Sequence, residues 1–272
     1  MESCNDVLMQ LGADLGKRKF LQYVNEFGFG KKTGIDLPGE ATGGVFTNDT
    51  MHAVELATSS FGQGQTVTMI QMAAAFSSVI NGGNYYEPHV VKEVKSENGA
   101  VLESNDNALV RRVITENTSK KLRKYLYKTV EEGTALPAKV AGYQIGGKTG
   151  TAEKHPTGRG NYLVSFIGFA TKDNPEVMIY VTIDEPHVAD QAHSTYATQF
   201  SSEVLKEVLP VLGMYQDSST KKADKTKASD IKLPSTKEAP DGGYSDGTYS
   251  VAGDQTDGTD TANTASPVPS AE

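Results

Sequence analysis

The sequence predicts an α+β fold: a helical region comes first, an antiparallel sheet follows, and a last helix covers that sheet. Three observations carry this reading. Apolar residues recur at three- and four-residue spacing through residues 7–27 and 69–76. Three strand-like runs crowd between residues 141 and 185, and the amphipathic segment "STYATQFSSEVLKEVLPVL" closes the folded part.

Val7, Leu8, Leu11 and Leu15 fall on one helical face, with Asn5 and Asp6 near its start, and Phe20, Val24 and Phe27 continue the pattern until "GFG" ends it. "TGIDLPGEATGG" (33–44) is turn-rich loop. "FGQGQTVTMIQMAAAFSSVINGG" (61–83) reads as a turn and then a helix stopping at Gly82, with Met69, Met72, Ala73 and Phe76 as its buried face. "PHVVKEVKS" and "ALVRRVI" read as short strands. A helix with Leu122, Leu126 and Val130 in register follows, ending at Gly133. The sheet is then expected from "AGYQIGGKTGTAEK" (141–154), "YLVSFIGFA" (162–170) and "EVMIYVTIDE" (176–185), the last two joined by "KDNP". Tyr196, Phe200 and Val204 of the final helix lie on one face to cover it.

From Gln216 to Glu272 the chain is Ser, Thr, Lys, Asp, Gly and Pro with scattered aliphatics, a Lys-rich half leading into an acidic one. Too little apolar surface is present there to offset chain entropy, so residues 216–272 are expected to be a disordered tail behind one domain of residues 1–215. Net charge is −8 with dispersed basic residues, which argues against a nucleic-acid partner and for a small-molecule or peptide one. The single Cys4 excludes an intramolecular disulfide and reads as a small buried residue. The five histidines show no metal-ligand spacing, so no metal is expected. No run approaches the roughly 18 to 20 apolar residues of a membrane span, and "MESCNDVLMQ" lacks the pattern of a signal peptide; taken alone, the chain reads as soluble and intracellular.

Two Lys-Thr-Gly triplets occur. Lys32-Thr33-Gly34 lies beside a Pro-Gly turn, where structural explanations suffice. Lys148-Thr149-Gly150 lies on a strand behind Gly146 and Gly147, which carry no side chains to shield an edge from a ligand backbone. Ser3-Cys4-Asn5 opens the chain, and Ser3 is also a plausible helix cap. Hydroxyl, amide and ammonium groups in one cleft are what acyl transfer from a serine requires.

"SCN", "FGKKTGIDLPGE", "FGQG", "GGKTGTAEK" and "SFIGFATKDNPEVMIYVTIDEP", in that order, resemble the C-terminal part of the transpeptidase domain of class B penicillin-binding proteins, from about residue 2 to residue 212. Members carry Ser-x-x-Lys, Ser-x-Asn and Lys-(Thr/Ser)-Gly in chain order. The resemblance implies that Ser3 relays protons and Asn5 binds the acyl-side amide. Lys148 sets the positive field for a donor carboxylate, Thr149 hydrogen-bonds it, Gly150 admits the substrate backbone, and the amide of Thr151 serves the oxyanion hole. It further implies peptidoglycan stem peptides and β-lactams as ligands, no cofactor, and a membrane-anchored parent working outside the cytoplasmic membrane among cell-wall or division proteins.

The nucleophile expected before Ser3 is absent. Ser218-Ser219-Thr220-Lys221 and Ser219-Thr220-Lys221-Lys222 fit Ser-x-x-Lys by letters but lie in the tail, in the wrong order. The chain is therefore expected to be a transpeptidase fragment, inactive alone. The alternatives are a non-catalytic module binding a peptidoglycan peptide or a partner, and, less well matched, a β-lactamase, for which no water-activating carboxylate is marked.

Overall fold

The computed structural model describes residues 3–105 and 109–216; the expected tail lies outside them from residue 217 on. Helices α1 (Asn5–Leu15) and α2 (Lys17–Glu26) are separated at Gly16, whose φ of 77° suits glycine. The sequence reading missed α3 (Ala53–Ser60), which starts in a capping box: the Glu55 carboxylate accepts the His52 N–H at 2.9 Å. α1 packs on α3 where Gly12 leaves room for the Ser60 side chain. Val7, Leu11 and Leu15 remain exposed on its other side. Cys4, expected to be buried, is exposed at the start of α1, where it takes the cap position and its neighbours Ser3, Asn5 and Asp6 are exposed with it.

α4 (Met69–Ile80) is capped by Thr68 and Gln71, which exchange hydrogen bonds. The fully buried Gln71 also donates through Nε2 to the carbonyls of Lys31 (2.6 Å) and Thr42 (2.8 Å), so one amide joins the helix start to the preceding loop. The predicted face of α4 needs correcting. Phe76 is buried, but Met69 is exposed, while Gln71, Ala74, Ala75, Ser78 and Ile80 are buried. The helix is covered on two sides: Met72, Phe76 and Ile80 meet the main sheet, and Ala74 meets Tyr85 and Val113.

The expected strand "PHVVKEVKS" shrinks to β2 (Glu93–Lys95) and "ALVRRVI" to β4 (Leu109–Arg112); β1 (Asn84–Tyr86) and β3 (Val101–Ser104) were not anticipated. β1 pairs with β4 and β2 with β3, both antiparallel. After α5 (Glu116–Glu132) and a short 3-10 turn at Leu136–Ala138 come β5 (Ile145–Glu153), β6 (Tyr162–Ala170) and β7 (Val177–Asp184), then α6 (Thr195–Val211). The sheet order is β5-β6-β7, antiparallel throughout as expected, so β5 is an edge strand.

Alternation assigns the two sheet faces. Phe166 and Ala170 of β6, with Val177, Ile179, Val181 and Ile183 of β7, face α6. Ile167 and Phe169, with Met178 and Tyr180, face α4. α6 covers the sheet, but with Ala197, Ser201, Leu205 and Leu209 rather than the predicted stripe. Phe200 is 55% exposed. The true stripe is offset by one residue because small Ala197 and Ser201 let the helix lie close to the sheet, where Phe200 would not fit.

Candidate active site

The register of β5 on β6 places Lys148 opposite Ile167, Thr149 opposite Phe166, Gly150 opposite Ser165 and Thr151 opposite Val164. Lys148 therefore lies on the face shared with Phe169 and Tyr180, and Thr149 and Thr151 on the other. The Lys154 N–H donates to the carbonyl of Asn161 at 2.9 Å, and this bond sets the phase of the ladder. Residues 148, 150 and 152 turn their backbone groups toward β6. The N–H and C=O of Gly147, Thr149 and Thr151 consequently aim at the open edge.

The Lys148 Nζ donates to the Thr149 carbonyl oxygen, 2.8 Å away on that open edge. Burial holds the ammonium below its ordinary pKa, and no carboxylate among the described residues pairs with it. A half-buried lysine without a counter-ion is poised to receive an anion. The Thr149 hydroxyl lies 3.3 Å from the hydroxyl of Thr134, which follows α5. Sequence reasoning missed Thr134, although "EEGTA" at a helix end was visible, because nothing local ties it to a strand fifteen residues on. It also missed Ser165, whose hydroxyl fills the space left by the absent Cβ of Gly150 on the Lys148 face.

The glycines ahead of the lysine serve packing, not an open approach. A Cβ at Gly146 would overlap the Phe169 ring and crowd the Tyr127 backbone, and one at Gly147 would overlap the Phe166 ring. Both positions are buried.

Ser3 and Asn5 lie exposed where α1 begins. Cys4 occupies the cap position and Asn5 is the first helical residue; Ser3 has φ 51° and makes no side-chain cap bond. The sheet strand β5 thus unites Lys148, Thr149, Gly150 and Thr151, while no hydrogen bond among the described residues joins Ser3 or Asn5 to them. The other triplet is structural: Thr33 is buried, and its N–H and hydroxyl each donate to the Glu40 carboxylate at 2.6 Å. No helix among the described residues is long and apolar enough to cross a membrane.

The chain matches the penicillin-binding protein transpeptidase domain over residues 1–208. Stage V sporulation protein D of Bacillus subtilis is 43% identical over 216 residues, covering 78% of this chain and 33% of that protein. The probable peptidoglycan D,D-transpeptidase PenA of Neisseria meningitidis is 31% identical over 212 residues, covering 76% of this chain and 34% of its own length. The crystal structure of penicillin-binding protein 3 from Mycobacterium tuberculosis, complexed with ampicillin, superposes with a TM-score of 0.73 at 27% identity, over 80% of this chain and 51% of that one. The chain spans about a third of the length of these curated relatives. Breadth of match, fold and identity agree, and the chain belongs to the penicillin-binding protein transpeptidase family, of whose domain it forms a part.

Proposed function

We propose that these residues supply one wall of a peptidoglycan D,D-transpeptidase site, which acts on an acyl-serine carried by a Ser-x-x-Lys element. The observation that carries this reading is the open edge of β5, where the Lys148 ammonium lies unpaired by any described carboxylate and the Thr151 N–H aims outward. A serine oxygen attacks the carbonyl of the penultimate D-alanine of a stem peptide, and the developing oxyanion takes the Thr151 N–H as one donor. The Lys148 charge and the Thr149 hydroxyl, held beside Thr134, bind the terminal carboxylate. Ser3 passes a proton to the departing D-alanine, and Asn5 holds the acyl-side amide. Gly150 yields its Cβ space to the Ser165 hydroxyl, which lies on the Lys148 face of the strand beside the substrate. An amine of a neighbouring stem then attacks the ester and releases the serine.

A β-lactam enters the same site by ring opening, with its carboxylate in place of the peptide's. The parent protein works outside the cytoplasmic membrane, where both substrates are found. For the test, the chain is fused behind the preceding transpeptidase segment of the Bacillus subtilis relative. The fusion should release D-alanine from a peptide ending in D-Ala-D-Ala and, with an added amine, form the transfer product seen by mass spectrometry. Lys148→Ala should lower the rate at least about a hundredfold. Equal rates for the two proteins would defeat the proposal.

A further inference from the structure

At the end of β5 one side chain ties two strand termini, those of β5 and β7. The Lys154 Nζ contacts Asp184 Oδ1 (2.9 Å) and Glu185 Oε1 (2.6 Å), and also lies 3.1 Å from Asp184 Oδ2. Its backbone N–H closes the β5–β6 hairpin on Asn161, while the Glu185 N–H closes β6–β7 on the Tyr162 carbonyl at 2.9 Å. The lysine thus reaches past β6 to the far strand.

Glu185 is one of two non-glycine residues with positive φ among the described residues, at 45°. That left-handed backbone is uncommon for a glutamate and persists where its surroundings hold it. The same hairpin is fastened a second time. Glu153 Oε1 accepts the Gly158 N–H at 2.5 Å, and the Tyr162 N–H donates to Gln191 Oε1 at 2.9 Å.

Stability alone does not account for such an arrangement. The side chains of Lys154, Asp184 and Glu185 are 35%, 60% and 43% exposed, and ion pairs this wet contribute about 0–1 kcal/mol. What the tether does fix is the position of a strand end. Thr151 stands three residues before Lys154 on an edge that has no neighbouring strand on its outer side, so the path of β5 there is set by β6 and by this tether.

We propose that Lys154 is a positioning residue: by binding Asp184 and Glu185 it fixes the end of β5, and so the direction in which the Thr151 N–H points. The inference rests on the role given to Thr151 above and extends it to a residue that touches neither substrate nor reacting atoms. Lys154→Met leaves two adjacent carboxylates without their shared cation and lets the strand end shift. An ångström at an oxyanion donor is enough to slow acylation strongly.

The test has two readouts. Amide hydrogen exchange on the full 272-residue chain, followed by mass spectrometry, requires no turnover and reads the tether directly. Lys154→Met should speed exchange about tenfold in peptides covering 150–162 and leave those covering 143–148 unchanged. In the fusion described above, the same variant should acylate with a fluorescent penicillin about tenfold more slowly, with its thermal midpoint within about 2 °C of the parent. Lys154→Arg should restore both, and the paired exchange of Lys154→Glu with Glu185→Lys should restore them in part. Unchanged exchange at 150–162 would overturn the tether. Faster exchange with undiminished acylation, or acylation falling only in step with the thermal midpoint, would overturn the positioning role while leaving the transpeptidase reading intact.

Discussion

The Lys148 ammonium donates to the Thr149 carbonyl oxygen across 2.8 Å, and that carbonyl belongs to the unpaired edge of β5 rather than to its ladder with β6. The lysine is therefore folded over the edge on which a ligand would lie. A carboxylate arriving there exchanges one neutral acceptor for an anionic one, a gain confined to the bound state.

Burial depresses the Lys148 pKa, so the folded state disfavours its charge. The unfolded chain then binds more protons between the folded pKa and the ordinary value of 10.5, and stability rises with pH across that window. Lys148→Met should stabilise the chain at pH 7 by at most about 1 kcal/mol, because solvent screens the exposed part of the side chain, and the advantage narrows as pH rises through the folded pKa. Denaturant midpoints at neutral and alkaline pH read this. A lower midpoint for the methionine variant at pH 7 would show that the lysine is held by favourable contacts rather than tolerated for function.

Glu40 responds to pH in the opposite part of the scale. Burial raises its pKa, but the Thr33 hydroxyl, the N–H groups of Thr33 and Gly34 and the nearby Lys32 outweigh that and leave it below its ordinary value. Its contribution is present above the ordinary carboxylate pKa and is lost as pH falls through the depressed folded one. Glu40→Gln should cost about 1 kcal/mol at pH 7, a modest figure because solvent screens part of the site, and the difference from the parent should vanish in acid. Chemical unfolding across pH 3 to 7 measures it; a pH-independent difference would mean that shape, not charge, is what the loop needs.

Gly146 and Gly147 should resist even one added methyl group. Gly147→Ala forces the Phe166 ring, fully buried against α6, to move, and Gly146→Ala presses on Phe169 and the backbone of α5. Each should cost about 2–3 kcal/mol in thermal or chemical unfolding. Parental stability in the alanine variants would mean that the core yields there, and that the glycines are kept for the ligand side after all.

Much of this architecture was legible in the sequence. The order of helices, the three-strand sheet and its antiparallel sense follow from periodicities of 3.6 and 2, and the segment containing Lys148 stood out as a strand bearing a charge without a local reason. Faces were harder. α4 is covered on two sides, which erases a single apolar stripe, and its first buried residue is Gln71, a polar side chain whose partners lie about thirty to forty residues earlier in the chain. α6 uses small residues for close approach, so its large ones mislead. α3 and the strands β1 and β3 are too short for periodicity to register. Thr134, Ser165 and the Lys154 tether depend on pairings between distant segments, and only register and distance bring them together.

The most direct measurement of the central claim is covalent labelling by a fluorescent penicillin, scored on denaturing gels. Lys148, Thr149, Thr151, Ser3 and Asn5 are assigned to assist an ester bond that none of them forms. The 272-residue chain should therefore show no label that survives denaturation, and the fusion that supplies a Ser-x-x-Lys element should show a strong one that Lys148→Ala diminishes. Stable labelling of the 272-residue chain by itself would place the nucleophile within it and contradict the account.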